Sequence, residues 1–158
     1  MSVSAVAVFQ GTGVNGVVNF IKKGKYTHIY LNIHGLSKNG AHGFHIHEYG
    51  DLTDGCNSCC SHYNPYKKTH GCPGMRNRHV GDLGNIYTDN NGVARYTFRD
   101  DLIKLTGKHN IIGRGLVIHE KPDDCGLGQG HEREESLKTG NAGKRIACAV
   151  IGLAKQNC

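Results

Sequence analysis

The stretch from Tyr26 to His34 has the most regular hydrophobic pattern in the chain. Its alternate positions form two faces: one with Thr27, Ile29, Leu31 and Ile33, the other with Tyr26, His28, Tyr30, Asn32 and His34. A period of two is typical of a β-strand that is buried on one face. The sequence therefore predicts a half-buried strand over residues 26–34.

Similar short runs divide much of the remaining chain into strands. We predict eight of them, at residues 5–9, 14–21, 26–34, 41–47, 82–88, 93–98, 113–119 and 146–154. The fifth and sixth flank Asp89-Asn90-Asn91-Gly92, which is typical of a hairpin turn. Short strands with almost no helical periodicity indicate an all-β antiparallel sandwich or barrel. No internal repeat divides residues 1–158, so one domain is predicted.

Two long segments, residues 48–81 and 120–144, lack a strand pattern. Loops longer than about 12–15 residues are uncommon in a compact domain and are usually functional or disordered. These two contain histidine, cysteine and aspartate rather than the composition of a disordered segment. Ordering them costs conformational entropy, so we expect a metal or a disulfide to cross-link them.

Composition and charge narrow the class of protein. The 158 residues carry 19 Lys and Arg against 13 Asp and Glu, a net charge of +6. The basic residues are dispersed, so we predict no nucleic-acid partner. An apolar run of about 18 residues is missing, which predicts no membrane-spanning helix. The N-terminus does not resemble a secretory signal, and a cytoplasmic location is therefore expected.

Histidines form three constellations with metal-binding chemistry. His45 and His47 share one face of a predicted strand, and His119 ends another. Two aligned imidazoles suit copper, zinc, iron or nickel, although surface histidines produce the same pattern. The third constellation lies in and just after the first long loop, and its three imidazoles and one carboxylate suit zinc: His62, His70, His79 and Asp82.

Two other motifs allow alternative interpretations. A zinc knuckle could be built from Cys56, Cys59, Cys60, His62, His70 and Cys72, although the spacing is irregular. Gly126-x-Gly128-x-Gly130 could cradle a phosphate, but its spacing and the acidic residues after it do not fit a nucleotide site. We interpret that region as a loop with a short helix, in which Glu134 and Lys138 form an i, i+4 pair.

Several longer motifs resemble those of the copper/zinc superoxide dismutase family, and the resemblance runs from about residue 6 to residue 154. The motifs include residues 43–48 (GFHIHE), 62–65 (HYNP), 78–85 (RHVGDLGN), 117–121 (VIHEK) and 138–148 (KTGNAGKRIAC). The resemblance implies an eight-stranded Greek-key barrel. It also implies dismutation of superoxide to oxygen and hydrogen peroxide by a copper redox cycle. The alternatives are a non-catalytic copper- or zinc-binding module on the same fold, and a basic zinc module that binds nucleic acid.

The resemblance also implies roles for individual residues. Copper would be bound by His45, His47, His62 and His119. Zinc would be bound by His62, His70, His79 and Asp82, with His62 bridging the two ions and taking up a proton during turnover. Asp123 would link a copper histidine to a zinc histidine, and Arg145 would lie over the copper. Four residues would line the entrance channel: Glu134, Glu135, Lys138 and Thr139.

The remaining implications concern disulfides and partners. Cys56 would pair with Cys148, while five further cysteines depart from the family pattern: Cys59, Cys60, Cys72, Cys125 and Cys158. The resemblance also implies a homodimer and a copper chaperone for metal loading. The dimer contact would involve Gly50, Asp51, Gly113 and Ile151. His42 matches a buried structural histidine and is not a predicted ligand.

Overall fold

Eight antiparallel strands form a nearly closed barrel in the computed structural model, which describes residues 3–155. The strands are β1 (Ser4–Phe9), β2 (Asn15–Lys23), β3 (Tyr26–His34), β4 (Ala41–His47), β5 (Asp82–Tyr87), β6 (Thr97–Asp100), β7 (Gly115–His119) and β8 (Arg145–Leu153). One helix, α1 (Arg133–Thr139), and two 3-10 turns (Asn57–Cys59 and Gly130–Glu132) lie in the long loops. Cys158 lies outside the described residues. The predicted all-β antiparallel class is confirmed.

The strand order around the barrel is β5-β4-β7-β8-β1-β2-β3-β6. The chain therefore passes over the seam from β5 to β6, and it crosses the barrel after β3 and again after β6, as in a Greek key. This crossing makes β4 and β7 neighbours, and Phe44 pairs with Ile118. The two strands that carry His45, His47 and His119 are consequently held side by side.

The predicted alternation of β3 is present in the structure. Thr27, Ile29, Leu31 and Ile33 are all buried. In β4 and β7 the residues between the histidines, Phe44, Ile46, Leu116 and Ile118, belong to the hydrophobic core. Because side chains alternate along a strand, this packing directs His45 and His47 to the opposite face. The core thus fixes the side of the barrel on which the site lies.

The predicted hairpin between residues 82–88 and 93–98 is wrong, although its turn forms. Asp89 accepts hydrogen bonds from Gly92 N at 3.1 Å and from Val93 N at 3.0 Å. However, β5 pairs with β4, whereas β6 begins only at Thr97 and pairs with β3. Ala94 is buried and already exchanges hydrogen bonds with Ile33, so the turn leads the chain across to β3. Local turn chemistry did not determine the strand partners.

The two long loops pack on the outside of β4, β5 and β7. Disulfides join Cys56 to Cys148 and Cys72 to Cys125. A buried ion pair between Arg78 and Asp100, 2.7 Å apart, attaches the first loop to the barrel. The short helix predicted in the second loop is present as α1, and Lys138 donates to Glu134 at 2.6 Å.

Candidate metal centre

The first side-chain cluster contains His45, His47, His62 and His119. One ring nitrogen of each lies within 4.8 Å of the others, and all four side chains are buried. The barrel supplies three of them from β4 and β7, while a single β-bridge between His47 and His62 brings the loop histidine alongside. The ring centroids of His45 and His62 are 4.0 Å apart.

Each of the three strand histidines uses one ring nitrogen for a hydrogen bond and directs the other toward the centre of the cluster. His45 Nε2 donates to Asp123 Oδ2 at 2.6 Å, His47 Nδ1 to the Cys60 carbonyl at 2.7 Å and His119 Nδ1 to the Gly143 carbonyl at 3.1 Å. The remaining nitrogens have no hydrogen-bond partner: His45 Nδ1, His47 Nε2, His62 Nε2 and His119 Nε2. Buried polar atoms without partners are costly, and a metal ion at their common point would satisfy all four.

The second cluster contains His62, His70, His79 and Asp82, all buried. The three Nδ1 atoms lie 2.9, 3.0 and 3.1 Å from Asp82 Oδ1. Ligands about 2.0 Å from a tetrahedral zinc ion are separated by about 3.3 Å, so these separations fit such an ion. The other oxygen, Asp82 Oδ2, accepts from the backbone N–H groups of Gly71 and His79, which fixes the carboxylate.

His62 belongs to both clusters through different atoms. Its Nδ1 faces Asp82 Oδ1 at 2.9 Å, and its unpartnered Nε2 faces the strand histidines. A single imidazole ring therefore separates the two sites. The residues present fit two metal ions, one on each side of this ring.

Asp123 connects the clusters by a second route. Its Oδ1 accepts from His70 Nε2 at 2.8 Å, and its Oδ2 accepts from His45 Nε2. The backbone N–H of Cys125 also donates to Oδ1, at 2.7 Å. Gly140 closes over this pair with φ +72°, and a Cβ there would lie only 2.1 Å from Asp123 Oδ1. Only glycine can occupy that position without displacing the carboxylate.

Burial favours the neutral form of the histidines in the first cluster, whereas two carboxylates favour the protonated form of His70. Burial lowers the pKa of His62 to about 3 and that of His119 to about 4, and it also lowers those of His45 and His47. Burial opposes the charge on His70 too, but its hydrogen bonds to Asp123 and Asp82 outweigh this and raise its pKa to about 9. The nitrogens around the first cluster are thus neutral and able to bind a metal ion.

A cleft of about 1020 Å³ opens over His47, His62 and His119. Of the predicted channel residues, Glu135, Lys138 and Thr139 line it, whereas Glu134 is outside the lining and forms an exposed ion pair with Lys138. The Arg145 guanidinium also lines the cleft, and its Nη1 donates to the Cys56 carbonyl at 2.8 Å. The predicted Cys56–Cys148 bond is therefore adjacent to this arginine.

Several features of the site were not found from the sequence. The Cys60 and Gly143 carbonyls orient His47 and His119, and Lys68, Lys121 and Glu132 line the cleft. Lys121 and Gly143 lie within quoted motifs, but nothing in those motifs indicates that one lines a cleft and the other orients a histidine. The zinc knuckle considered as an alternative does not form, because Cys56 and Cys72 are in disulfides and the two histidines belong to the second cluster.

A barrel that carries two histidine-rich clusters sharing one ring indicates a protein that binds two adjacent transition-metal ions. The family model described as copper/zinc superoxide dismutase matches residues 14–151. A superoxide dismutase (Cu-Zn) of Paramecium bursaria Chlorella virus 1 is 57% identical over 155 residues, covering 98% of this chain and 81% of that protein. That of Saccharomyces cerevisiae is 54% identical, covering 96% and 98%. A solved structure titled as the clock protein EA4 has a TM-score of 0.90 at 47% identity, covering 96% and 94%.

The chain belongs to the copper/zinc superoxide dismutase family. The predicted fold, enzyme class and dependence on copper and zinc are confirmed by these comparisons together with the two clusters. In the part of the chain that the structure describes, no helix is both long and apolar enough to span a membrane.

Proposed function

We propose that the first cluster binds copper, that the second binds zinc, and that the chain uses this pair to dismutate superoxide. Four imidazoles without a carboxylate suit copper, whereas three imidazoles with Asp82 suit a tetrahedral zinc ion. The observation that carries the assignment is His62, whose Nδ1 and Nε2 face one cluster each. When bound, copper supplies one-electron chemistry, and zinc supplies none.

His62 is the proton-handling residue of this proposal. Its Nδ1 side is held in the second cluster, so its Nε2 stays directed toward the first cluster and the cleft. A proton taken up at Nε2 would therefore stay next to the substrate. Peroxide formed from superoxide needs two protons, and this atom delivers one of them without rotation of the ring.

Arg145 is the anion-binding residue of the same proposal. Its guanidinium is permanently charged and lines the cleft beside His119, its neighbour across the β7–β8 pairing. The Cys56 carbonyl holds Nη1, which leaves the other nitrogens to face a small anion. Its position thus depends on the loop that the Cys56–Cys148 disulfide attaches to β8.

The rim of the cleft supports attraction of an anionic substrate. Its charged lining residues are Lys68, Lys121, Lys138, Arg145, Glu132 and Glu135. The positive excess would steer superoxide inward at low ionic strength. We propose that Glu134, Glu135, Lys138 and Thr139 shape this field, Glu134 by holding Lys138 through their 2.6 Å contact.

Selective metal loading tests the proposed function. Protein reconstituted with copper and zinc should dismutate superoxide in pulse radiolysis in the presence of a chelator that inactivates free copper. His79→Ala should lose zinc and keep copper, whereas His119→Ala should lose tight copper and keep zinc. His131→Ala, which changes an exposed histidine outside both clusters, is the matched control. Activity no better than that of the chelated copper alone would overturn the proposal.

We also propose that the chain, as a single domain, forms a homodimer. Gly50, Gly113 and the exposed Val150 adjoin one another, because a Cβ on Gly50 would lie 2.3 Å from the Gly113 carbonyl and 3.0 Å from Val150 Cγ1. Ile151 is fully buried in the monomer and could contribute only its backbone. Val150→Asp should convert a dimer to a monomer in sedimentation velocity, and a parent protein that sediments as a monomer would contradict the proposal.

A cytoplasmic location and copper delivery by a chaperone complete the proposal. The exposed free thiol of Cys60 is compatible with a reducing compartment. Relatives from Onchocerca volvulus and Drosophila melanogaster are named extracellular superoxide dismutases, so location varies among the relatives. Fractionation of the producing cells tests the first proposal. Copper uptake by metal-free protein with and without a copper chaperone tests the second.

A further inference from the structure

The Cys72–Cys125 disulfide links the two long loops beside the second cluster. Cys72 lies in the loop of residues 48–81, and Cys125 lies in that of residues 120–144. Both cysteines depart from the pattern that the family resemblance implies. The mechanism proposed above uses neither sulfur, so the position of the bond requires its own explanation.

On the first loop, Cys72 comes directly after His70 and Gly71, and both of these residues contact Asp82 of the second cluster. Gly71 donates its backbone N–H to Asp82 Oδ2 at 3.1 Å, and His70 supplies the Nδ1 that lies 3.0 Å from Asp82 Oδ1. The segment 70–72 therefore holds a predicted zinc ligand and orients a second one. Any movement of Cys72 would be passed to both.

On the second loop, Cys125 contacts Asp123, the carboxylate that orients His70 of the second cluster. Its own backbone N–H donates to Asp123 Oδ1, the same oxygen that accepts from His70 Nε2. Cys125 has φ +61°, a left-handed conformation that non-glycine residues rarely adopt. The disulfide is therefore attached at the same residue whose backbone N–H donates to Asp123.

Other contacts between the loops here are hydrogen bonds. His70 N donates to the Leu137 carbonyl at 2.8 Å, and His70 Nε2 donates to Asp123. The other disulfide, Cys56–Cys148, lies at Arg145 and attaches the first loop to β8 rather than to the second loop. Cys72–Cys125 is therefore the covalent link within residues 3–155 that joins the two loops to each other.

We propose that the Cys72–Cys125 disulfide is a positioning cross-link for zinc retention. It keeps His70, Asp82 and Asp123 aligned in the absence of metal, so that a departing zinc ion leaves a site still arranged to bind it again. Both cysteines act through the ligands and contact no reacting atom. The inference rests on the proposed assignment of zinc to this cluster.

Metal release from the Cys72→Ser/Cys125→Ser variant tests the proposal. Fully loaded protein is mixed with excess chelator, and the losses of zinc and copper are followed separately. Changes to groups that orient metal ligands typically weaken binding by about 10–100-fold, so we expect zinc release to accelerate by about 10-fold or more, with copper release nearly unchanged. Hydrogen exchange of the metal-free variant should quicken around residues 70–72 and 123–126, but not in β1–β3.

The matched control is Tyr66→Ser/Leu127→Ser, which places serines at exposed positions of the same two loops. Its zinc release should equal that of the parent. If the variant folds poorly, the parent protein supplies the second measurement: partial reduction followed by alkylation gives a mixture, in which mass spectrometry identifies the molecules with Cys72 and Cys125 blocked and Cys56–Cys148 intact. Their zinc occupancy should be lower than that of unmodified molecules.

The outcomes separate failure of this inference from failure of the proposed function. Unchanged zinc release would overturn the inference, and so would an equal acceleration for both metals, which indicates only general destabilisation. If His79→Ala bound as much zinc as the parent, the zinc assignment itself would be wrong.

Discussion

The two sides of the metal centre are built by different means. His45, His47 and His119 stand on β4 and β7, whose neighbouring residues fill the barrel core. The other side is supplied by His70 and its neighbours, which lie in a loop or at its junction with β5. The strand side is fixed by core packing. The loop side depends on carboxylates, backbone donors and a disulfide, and it is therefore the side that we expect to lose its geometry first.

The two sides also differ in their response to protons. Histidines of the first cluster have lowered pKa values because they are buried. His70 has a raised pKa because two carboxylates accept its hydrogen bonds. Acidification therefore destabilises the strand side, because its buried histidines are neutral in the fold and become protonated when the chain unfolds. The stabilising contribution of His70 is present below pH 6.5 and is lost as the pH rises through about 9.

Acidification of the metal-free protein has the largest expected effect. His62 and His119 have pKa values of about 3 and about 4 in the fold, against about 6.5 when unfolded, so below pH 6.5 the unfolded chain binds protons that the fold does not. The free energy of unfolding should fall by about 1.4 kcal/mol per pH unit for each such histidine. Denaturant titrations at pH 7 and pH 5 measure this. Equal stability at both values would show that these rings are not buried neutral.

Replacement of the ring shared by both sides is expected to have the next largest effect. His62→Ala removes a ligand from each cluster, and the dismutation rate of protein exposed to both metals should fall by more than about 100-fold. Metal analysis should find reduced zinc as well as reduced copper. If only one metal were lost, the two clusters would not share His62.

Asp123→Asn is a milder change that should affect the two sides unequally. It keeps the shape of the side chain but removes the charge that accepts from His45 and His70, so zinc affinity should fall by about 10–100-fold. Copper should be affected less, because His45 is also held by its strand. Competition with chelators for each metal gives the two affinities. Asn91→Ala, in the turn after β5, serves as a control far from the centre, and an equal loss of both metals would contradict the contrast between the sides.

Arg145 tests the substrate-binding part of the strand side. Arg145→Ala should lower the second-order rate constant by about 10-fold while both metals stay bound, since a charge that attracts the substrate is lost. Arg145→Lys should retain part of the rate at low ionic strength. Pulse radiolysis at several salt concentrations measures both variants. A rate for Arg145→Ala that matches the parent would remove this residue from the proposed mechanism.

Much of the barrel could be predicted from the sequence, because alternation along a strand directly reflects burial on one face. The pattern over residues 26–34 and the positions of β4 and β7 match the structure. The partners of β5 and β6 could not be predicted, because a turn such as Asp89–Gly92 determines the local path of the chain and not the strand to which it leads.

The metal centre shows the same division. Side chains with metal-binding chemistry, such as His45 and Asp82, can be recognised in the sequence from their residue type and spacing. The groups that orient them are often backbone atoms, such as the Cys60 carbonyl and the Gly71 N–H, and any residue type could provide those. The pairing of Cys72 with Cys125 was also beyond the sequence, because cysteine counts do not determine connectivity.

The unjoined ends of the strand order have a consequence for self-association. β5 and β6 end the sheet in the described part of the chain, and open edges are templates on which further chains can polymerise. Here the crossing segment 88–96 spans the seam, and Tyr96 Oη accepts from Tyr87 N at 3.0 Å. The β6 edge is only four residues long and carries the exposed Arg99. The seam is thus short, partly covered and marked by a charge, which are the features that disfavour edge-to-edge pairing between chains.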